Sequence, residues 1–264
     1  MRTLMVIFTA SMAVACAGNT LDGIKGLRVN ADEPEKLGSP ANAEKIVGGG
    51  YAELGQFSYV VSIRLNHVHK CGGAILNSNH ILTSYSCIGN VQRISDLSVV
   101  SGTAYLNLGG NTHSVDGMYW VNGTNGTSQD IAILKLADDI SYDTYEEPIA
   151  LATSRPPSDV YAVVSGWGSN SNSAFTSSNR QRYLYVKIID SLQCNNVFND
   201  VTDEICTLNS AEQGVCYGDG GDPLVYDNKV VGVLSRGRLC AQGFPDVFAS
   251  VADNLSFIRQ YYNA

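Results

Sequence analysis

The stretch "QFSYVVSIRL" (56 to 65) puts Phe57, Tyr59, Val61, Ile63 and Leu65 on one face, the period-2 alternation of a half-buried strand. Shorter runs of the same kind follow: "GGAILN", "HILTSY", "LSVVSGTAYLN", "IAILKL", "YAVVSGWG", "RYLYVKII" and "KVVGVLSRG". Clusters of Gly, Asn, Ser and Pro separate them. Many strands at this spacing, with no helical periodicity between them, predict an all-β barrel or sandwich. Helical spacing shows only at the end, where "DNLSFIRQYYNA" carries Leu255, Ile258 and Tyr262, so one closing helix is expected. The stretch "TSRPPSD" (153 to 159) is the expected seam between two halves. Residues 18 to 45, rich in Asp, Glu, Asn, Gly and Pro, have little apolar periodicity and read as a pro-segment or linker.

Composition sharpens this picture. A chain of 264 residues, 44% hydrophobic and 16% charged, can bury a full core in one large all-β domain or two small ones. Residues 1 to 17 combine an early Arg2, an apolar run from Leu4 to Val14 and Ala15-Cys16-Ala17 ahead of Gly18, the pattern of a secretory signal peptide. No other apolar stretch approaches the roughly 20 residues that span a bilayer, so a soluble, exported protein is expected. Export to an oxidising space makes Cys71, Cys87, Cys194, Cys206, Cys216 and Cys240 a set of three disulfides, for which the sequence alone allows about 15 pairings. No spacing suggests a metal site, and no cofactor is expected. Sequons at Asn122, Asn125 and Asn254 fit a glycosylating secretory pathway and are read as surface positions. A net charge of -8 argues against nucleic acid or an anionic membrane as partner.

Six motifs then occur in order: "KIVGGG" (45 to 50), "CGGAILNSNHILTSYSC" (71 to 87), "QDIAILKL" (129 to 136), "VSGWGS" (164 to 169), "CYGDGGDPLV" (216 to 225) and "VVGVLSRG" (230 to 237). With these motifs the chain resembles the chymotrypsin-like (S1) serine protease family over about residues 46 to 262. The resemblance implies a trypsin-like domain from 46 to 264: two antiparallel six-stranded β-barrels, a C-terminal helix and a site in the cleft between the barrels. It also implies disulfides Cys71–Cys87, Cys194–Cys206 and Cys216–Cys240.

In that family a histidine base, a buried aspartate and a serine nucleophile act together. The resemblance puts Ser86 in the histidine position, Asp130 in the aspartate position and Gly220 in the serine position. A hydroxyl has no useful basicity at neutral pH, and glycine has no side chain to attack with. Losing such a triad costs about 10⁶ in turnover, so a working protease is not expected. His67, His69, His80 and His113 are the only histidines, each read as a surface or structural residue. Ser235 is expected to hydrogen-bond Asp130, with Ser86 as a second partner.

The specificity-pocket positions are Gly214, Arg236 and Asp246. Arg236 and Asp246 are expected to pair and plug the pocket; an unpaired Asp246 would instead accept a basic side chain. Asp222, where the family keeps a glycine, suggests strain or a shifted loop. Gly218 and Gly220 hold the oxyanion-hole positions. Lys45-Ile46 reads as an activation junction, with Asp219 the acid that receives the new Ile46 ammonium. The whole resembles arthropod-type inactive serine protease homologues, among them the inactivated paralogues of parasitic mites. A secreted binding protein is therefore expected: a decoy, cofactor or inhibitor in an extracellular proteolytic or immune cascade, with an extracellular protein partner. A weak or digestive serine-type endopeptidase is the alternative. Glycans on Asn122 and Asn125 would screen the cleft, which places the partner's docking surface elsewhere, including the loop 169 to 181.

Overall fold

The computed structural model describes residues 49–121, 129–169, 176–211, 213–238 and 240–262. The signal peptide (1–17), the pro-segment (18–45), Lys45, Ile46, Asn122 and Asn125 lie outside the described residues, as do residues 170–175 of the 169–181 loop. The first barrel is formed by β2 (Val60–Leu65), β3 (Val68–Asn77), β4 (His80–Thr83), β5 (Leu97–Ser101), β6 (Asn111–Trp120) and β7 (Ala132–Leu136). Its strands close in the order β2-β3-β4-β7-β6-β5, all antiparallel. Val61, Ile63, Ile75, Ile81, Val99 and Leu134 fill its interior.

The second barrel contains β9 (Tyr161–Gly166), β10 (Arg182–Ile189), β11 (Glu204–Leu208), β12 (Pro223–Tyr226), β13 (Lys229–Gly237) and β14 (Asp246–Ser250). Strand β9 pairs with both β10 and β12 and so closes the ring. The short β1 (Gly50–Tyr51) joins β10, and β8 (Ala150–Leu151) runs parallel to β13. Val164, Leu184, Val186, Ile205, Leu224 and Phe248 form this interior. The helices are brief: α1 (Tyr85–Ile88), α2 (Ser191–Asn195) and α3 (Leu255–Tyr262).

A third apolar cluster lies between the barrels. Ala74, Leu76, Leu82 and Ile133 of the first barrel meet Val225, Val230, Val233 and Ala249 of the second, with Ile258 of α3 sealing the edge. Strands at this seam bury side chains on both faces. That is why Val60, Val61, Ser62 and Ile63 are all buried, where alternation alone predicts every second residue. Apolar burial at the usual ~25 cal/mol per Å² makes this inter-barrel contact part of the core, so the cleft it frames has firm walls. The expected closing helix is α3, held by Tyr261 stacked on Tyr119 at 4.3 Å and by Asn77 Nδ2 donating to the Tyr262 carbonyl at 3.0 Å.

Several expected elements shift. The strand expected from Gln56 begins at Val60, because residues 54–59 form turns. The strand expected at "LSVVSGTAYLN" stops at Ser101, since Gly102 takes φ +69, a left-handed conformation that breaks the ladder. Strand β6 escapes pattern reading because Val115 and Gly117 are its buried residues and its first four positions are largely solvated. The chain crosses to the second sheet between Leu136 and Ala150, so the stretch at 153–159 follows the crossing.

Candidate functional site

The cleft between the barrels brings Ser86, Asp130 and Gly220 together, as the resemblance implies. Helix α1 follows β4 directly and is tied to β3 by the Cys71–Cys87 disulfide, which presents Ser86 to the cleft. Asp130 accepts the Ser86 backbone N–H at Oδ1 (2.6 Å) and the Ser86 hydroxyl at Oδ2 (2.9 Å). The Ser235 hydroxyl also donates to Oδ2, at 2.8 Å, as expected. The carboxylate is thus held by three donors, with no imidazole among them. At Gly220 a Cβ would stand 3.4 Å from Cys87 Sγ and 3.7 Å from Cys71 Sγ, ordinary contact distances, so there is room for a side chain where the sequence supplies none.

The loop that carries Gly220 is pinned from below. Asp219 is 1% exposed and accepts the N–H of Gly168 at 2.6 Å and that of Cys216 at 2.8 Å. Burial raises its pKa to about 6 in spite of those bonds. Asp222 is equally buried, and neither of its carboxyl oxygens has a hydrogen-bond donor. Burial first, and the neighbouring Asp219 second, push its pKa well above the usual carboxylate range, which favours the neutral form. It fits because Gly72 and Gly166 flank it, and any side chain at either would collide with it. The expectation of a shifted loop is not met. The bonds Gly72 N–H to Gly220 carbonyl, Gly221 N–H to Leu234 carbonyl and Leu234 N–H to Asp222 carbonyl all form, at 2.8 to 2.9 Å.

His69, expected to be a surface or structural residue, is a neighbour of the site. It lies on β3, where its ring bonds the Ser62 hydroxyl at Nδ1 (2.9 Å) and the Gly218 carbonyl at Nε2 (3.0 Å). Burial lowers its pKa to about 4, so it is neutral, and the bond to the carbonyl requires the proton on Nε2. It anchors the oxyanion-hole position Gly218, which takes φ +95. The other histidines are structural or superficial: His80 bonds Asn77, His113 bonds Ser101, and His67 sits exposed in a turn.

Arg236 does not plug the pocket. Its guanidinium turns away from Asp246 and grips Glu204 in a two-pronged pair, Nη1 to Oε1 and Nη2 to Oε2 (2.9 Å), with Asp200 at 3.2 Å. A bidentate carboxylate at the start of β11 outcompetes a recessed acid, since the planar fork matches both oxygens. Asp246 is left 9% exposed at the floor beside Gly214, with one long bond from the Val215 N–H at 3.4 Å. Burial raises its pKa to about 7. The cleft stays open, about 290 Å³ in volume.

All three implied disulfides form: Cys71–Cys87, Cys194–Cys206 and Cys216–Cys240. The sequon at Asn254 is not a surface position. Its side chain is 2% exposed and donates Nδ2 to the Ser250 carbonyl at 2.8 Å, which withholds the nitrogen from a glycan. Among the described residues no group of three or more His, Cys, Asp or Glu can hold a metal ion, and no helix is long and apolar enough to cross a membrane.

Comparison with known proteins agrees with this architecture. The family model described as Trypsin matches residues 46–258. Trypsin delta of Drosophila erecta is 32% identical over 249 residues, covering 91% of this chain and 93% of the relative. Trypsin alpha of Drosophila melanogaster is 30% identical over 268 residues, covering 99% of each. Among solved structures, the scabies mite inactivated protease paralogue S-D1 superposes with a TM-score of 0.75 at 25% identity, covering 82% of this chain and 97% of that one. Two closed six-stranded barrels, a cleft holding Asp130 and a family match across most of the chain have one reading: this protein belongs to the trypsin family of serine proteases.

Proposed function

We propose that this chain is a secreted, catalytically inactive serine protease homologue that acts by binding another protein outside the cell. The observation that carries the reading is the saturation of Asp130 by Ser86 and Ser235, opposite a glycine at position 220. A general base must hold a proton acceptor near neutral pKa within reach of a nucleophile. Here the base position offers a hydroxyl and the nucleophile position nothing. His69 does not substitute, because its Nε2 proton is donated to the Gly218 carbonyl, its Nδ1 is engaged by the Ser62 hydroxyl, and burial suppresses its basicity. Secretion is supported by the signal-peptide pattern and by three disulfides, which persist in oxidising compartments. A decoy or cofactor role in a proteolytic or immune cascade is supported by the kind of neighbour found, one titled an inactivated protease paralogue.

The test is turnover of peptide esters by purified protein processed after Lys45. No stable turnover above a heat-treated control is expected, and Asp130→Ala is expected to change nothing. Turnover that Asp130→Ala abolishes would establish the alternative, a weak peptidase.

A further inference from the structure

Between β7 and β8 the chain runs "ADDISYDTYEEPI" (137 to 149), a connection without regular structure apart from a turn at Asp143 to Glu146. Two buried residues anchor it. Ile140, 3% exposed, donates its N–H to the Ser78 carbonyl at 2.6 Å, and Glu146, 2% exposed, accepts from the Ser101 hydroxyl and from Asn111 Nδ2 at 2.6 Å. Every residue from Ser141 to Tyr145 is exposed between them. Two phenols are therefore held out on a short, anchored loop, Tyr142 at 48% exposure and Tyr145 at 43%, and neither hydroxyl has a hydrogen-bond partner among the described residues.

The loop carries one sign of charge. From Leu136 to Ser154 there are five Asp and Glu and no Lys, Arg or His. Asp138, Asp139, Asp143 and Glu147 are exposed, and none of them joins an ion pair among the described residues. The other exposed tyrosines lack this setting. Tyr51 lies under Arg180 and Arg182, Tyr161 on β9 faces Lys187 across the ladder, Tyr185 on β10 stands between Arg182 and Lys187, and Tyr217 adjoins the Cys216–Cys240 disulfide.

The two phenols of the loop are not equivalent. Tyr145 sits inside the turn, with its N–H bound to Asp143 Oδ1 at 2.7 Å and its ring against Gly55, and the acid that follows it is the buried Glu146. Tyr142 precedes the turn. Exposed carboxylates stand three and four residues before it and directly after it.

We propose that Tyr142 is a site of tyrosine O-sulfation, modified as the chain passes through a secretory pathway. The inference rests on the exported reading above and adds a covalent modification to it. A sulfuryl transferase must hold an anionic donor, an adenosine nucleotide bearing a phosphosulfate anhydride, and so has a cationic groove; an acidic acceptor segment without cations is drawn to it. The phenol oxygen attacks sulfur and forms an aryl O–S bond. The bond from sulfur to the donor's phosphate oxygen breaks, adenosine bisphosphate leaves, and the phenol proton passes to the transferase's base. Nothing is oxidised or reduced. Until then the phenol keeps its proton, since partial burial first, then Tyr262 and Asp139, hold its pKa above the ordinary value. The product is a charged group with outward oxygens, of the kind that an arginine of a partner grips in a two-pronged pair.

The test expresses the full-length chain in animal cells that sulfate a co-expressed control protein on tyrosine. Radioactive sulfate is supplied, and the chain is recovered from the medium and stripped of N-glycans. Label on the wild-type chain is expected, at least about tenfold lower in Tyr142→Phe and within about twofold of wild type in Tyr145→Phe. Mass mapping of the unsubstituted chain should find one sulfate on the fragment holding Tyr142, resistant to phosphatase and released by mild acid, and it decides the matter even where a variant fails to fold. A secreted chain without label, label that survives in Tyr142→Phe, label lost with the glycans, or a group removed by phosphatase would each overturn the proposal. A chain that never reaches the medium refutes the exported reading and this inference together, whereas a secreted, unsulfated chain refutes the inference alone.

Discussion

Asp246 is a carboxyl kept from water at the end of a cleft, and its charge state follows from that position alone. Its folded pKa is raised from 3.8 to about 7 by burial, so the folded protein holds the proton more tightly than the unfolded chain does. The protonated carboxyl costs nothing below the ordinary value, but stability is lost as pH rises through the folded pKa. Asp246→Asn should therefore raise the melting temperature at about pH 8 and leave it nearly unchanged at about pH 4. An identical shift at both pH values would mean that the side chain acts through packing. The triad positions permit a second substitution experiment. The Gly220 site has room for a serine, and Asp130 is already oriented, so Ser86→His with Gly220→Ser rebuilds the groups. The rebuilt protein is nevertheless expected to stay below about 10⁴ M⁻¹s⁻¹ in kcat/KM. Arg236 points to Glu204 from the pocket rim, Asp222 fills the space under the loop, and transition-state stabilisation needs the bound geometry as well as the groups. Recovery to that level would show the pocket competent.

Among the elements, strands β11, β13 and β14 decide what the cleft looks like. Arg236 on β13 reaches past its ladder partner in β14 to Glu204 on β11, so sheet order converts a residue expected to block the pocket into one that ties its wall. The loop between β11 and β12 carries Cys216 to Gly220 and is anchored by Asp219 and His69. Cleavage after Lys45 should raise the melting temperature, because an ammonium reaching Asp219 would repay the burial that now holds its pKa up near 6. Asp219→Ala should remove that gain. The same melting temperature before and after cleavage would leave the junction without a structural effect. The strand runs that border the cleft, "GGAILN" and "KVVGVLSRG", were legible because their apolar residues are continuous. Strands β6 and β11 were not, since each carries polar residues that gain their meaning only from the neighbours they pair with.

At the scale of the molecule, the buried acids set an unusual pH response. Asp219, Asp222 and Asp246 all have folded pKa values above the ordinary one, so each withdraws stability as pH rises through it. His69, lowered to about 4, works in the opposite sense: it adds stability as pH rises toward the ordinary histidine value and contributes no further change above it. The losses from Asp219 and Asp246 run from the ordinary carboxylate value up to about pH 6 and about pH 7, and His69 offsets one of them up to about pH 6.5. The melting temperature should therefore fall between about pH 4 and pH 7, a range over which many proteins gain stability. A flat or rising profile across that interval would show that the carboxyls are ionised at lower pH than their burial implies.

Alternation of apolar residues, six cysteines and six ordered motifs determined the barrels, the disulfide pairing implied by resemblance, the closing helix and the three triad positions. Those features depend on local pattern or on residue type at a fixed spacing, both of which are written along the chain. The partners of polar side chains are not. Arg236 paired with Glu204 instead of Asp246, Asn254 turned inward to the Ser250 carbonyl, Asp222 lodged between Gly72 and Gly166, and His69 bridged from β3 to Gly218. Each choice depends on which strands lie side by side and on what burial does to a charge, and only the folded chain sets those distances.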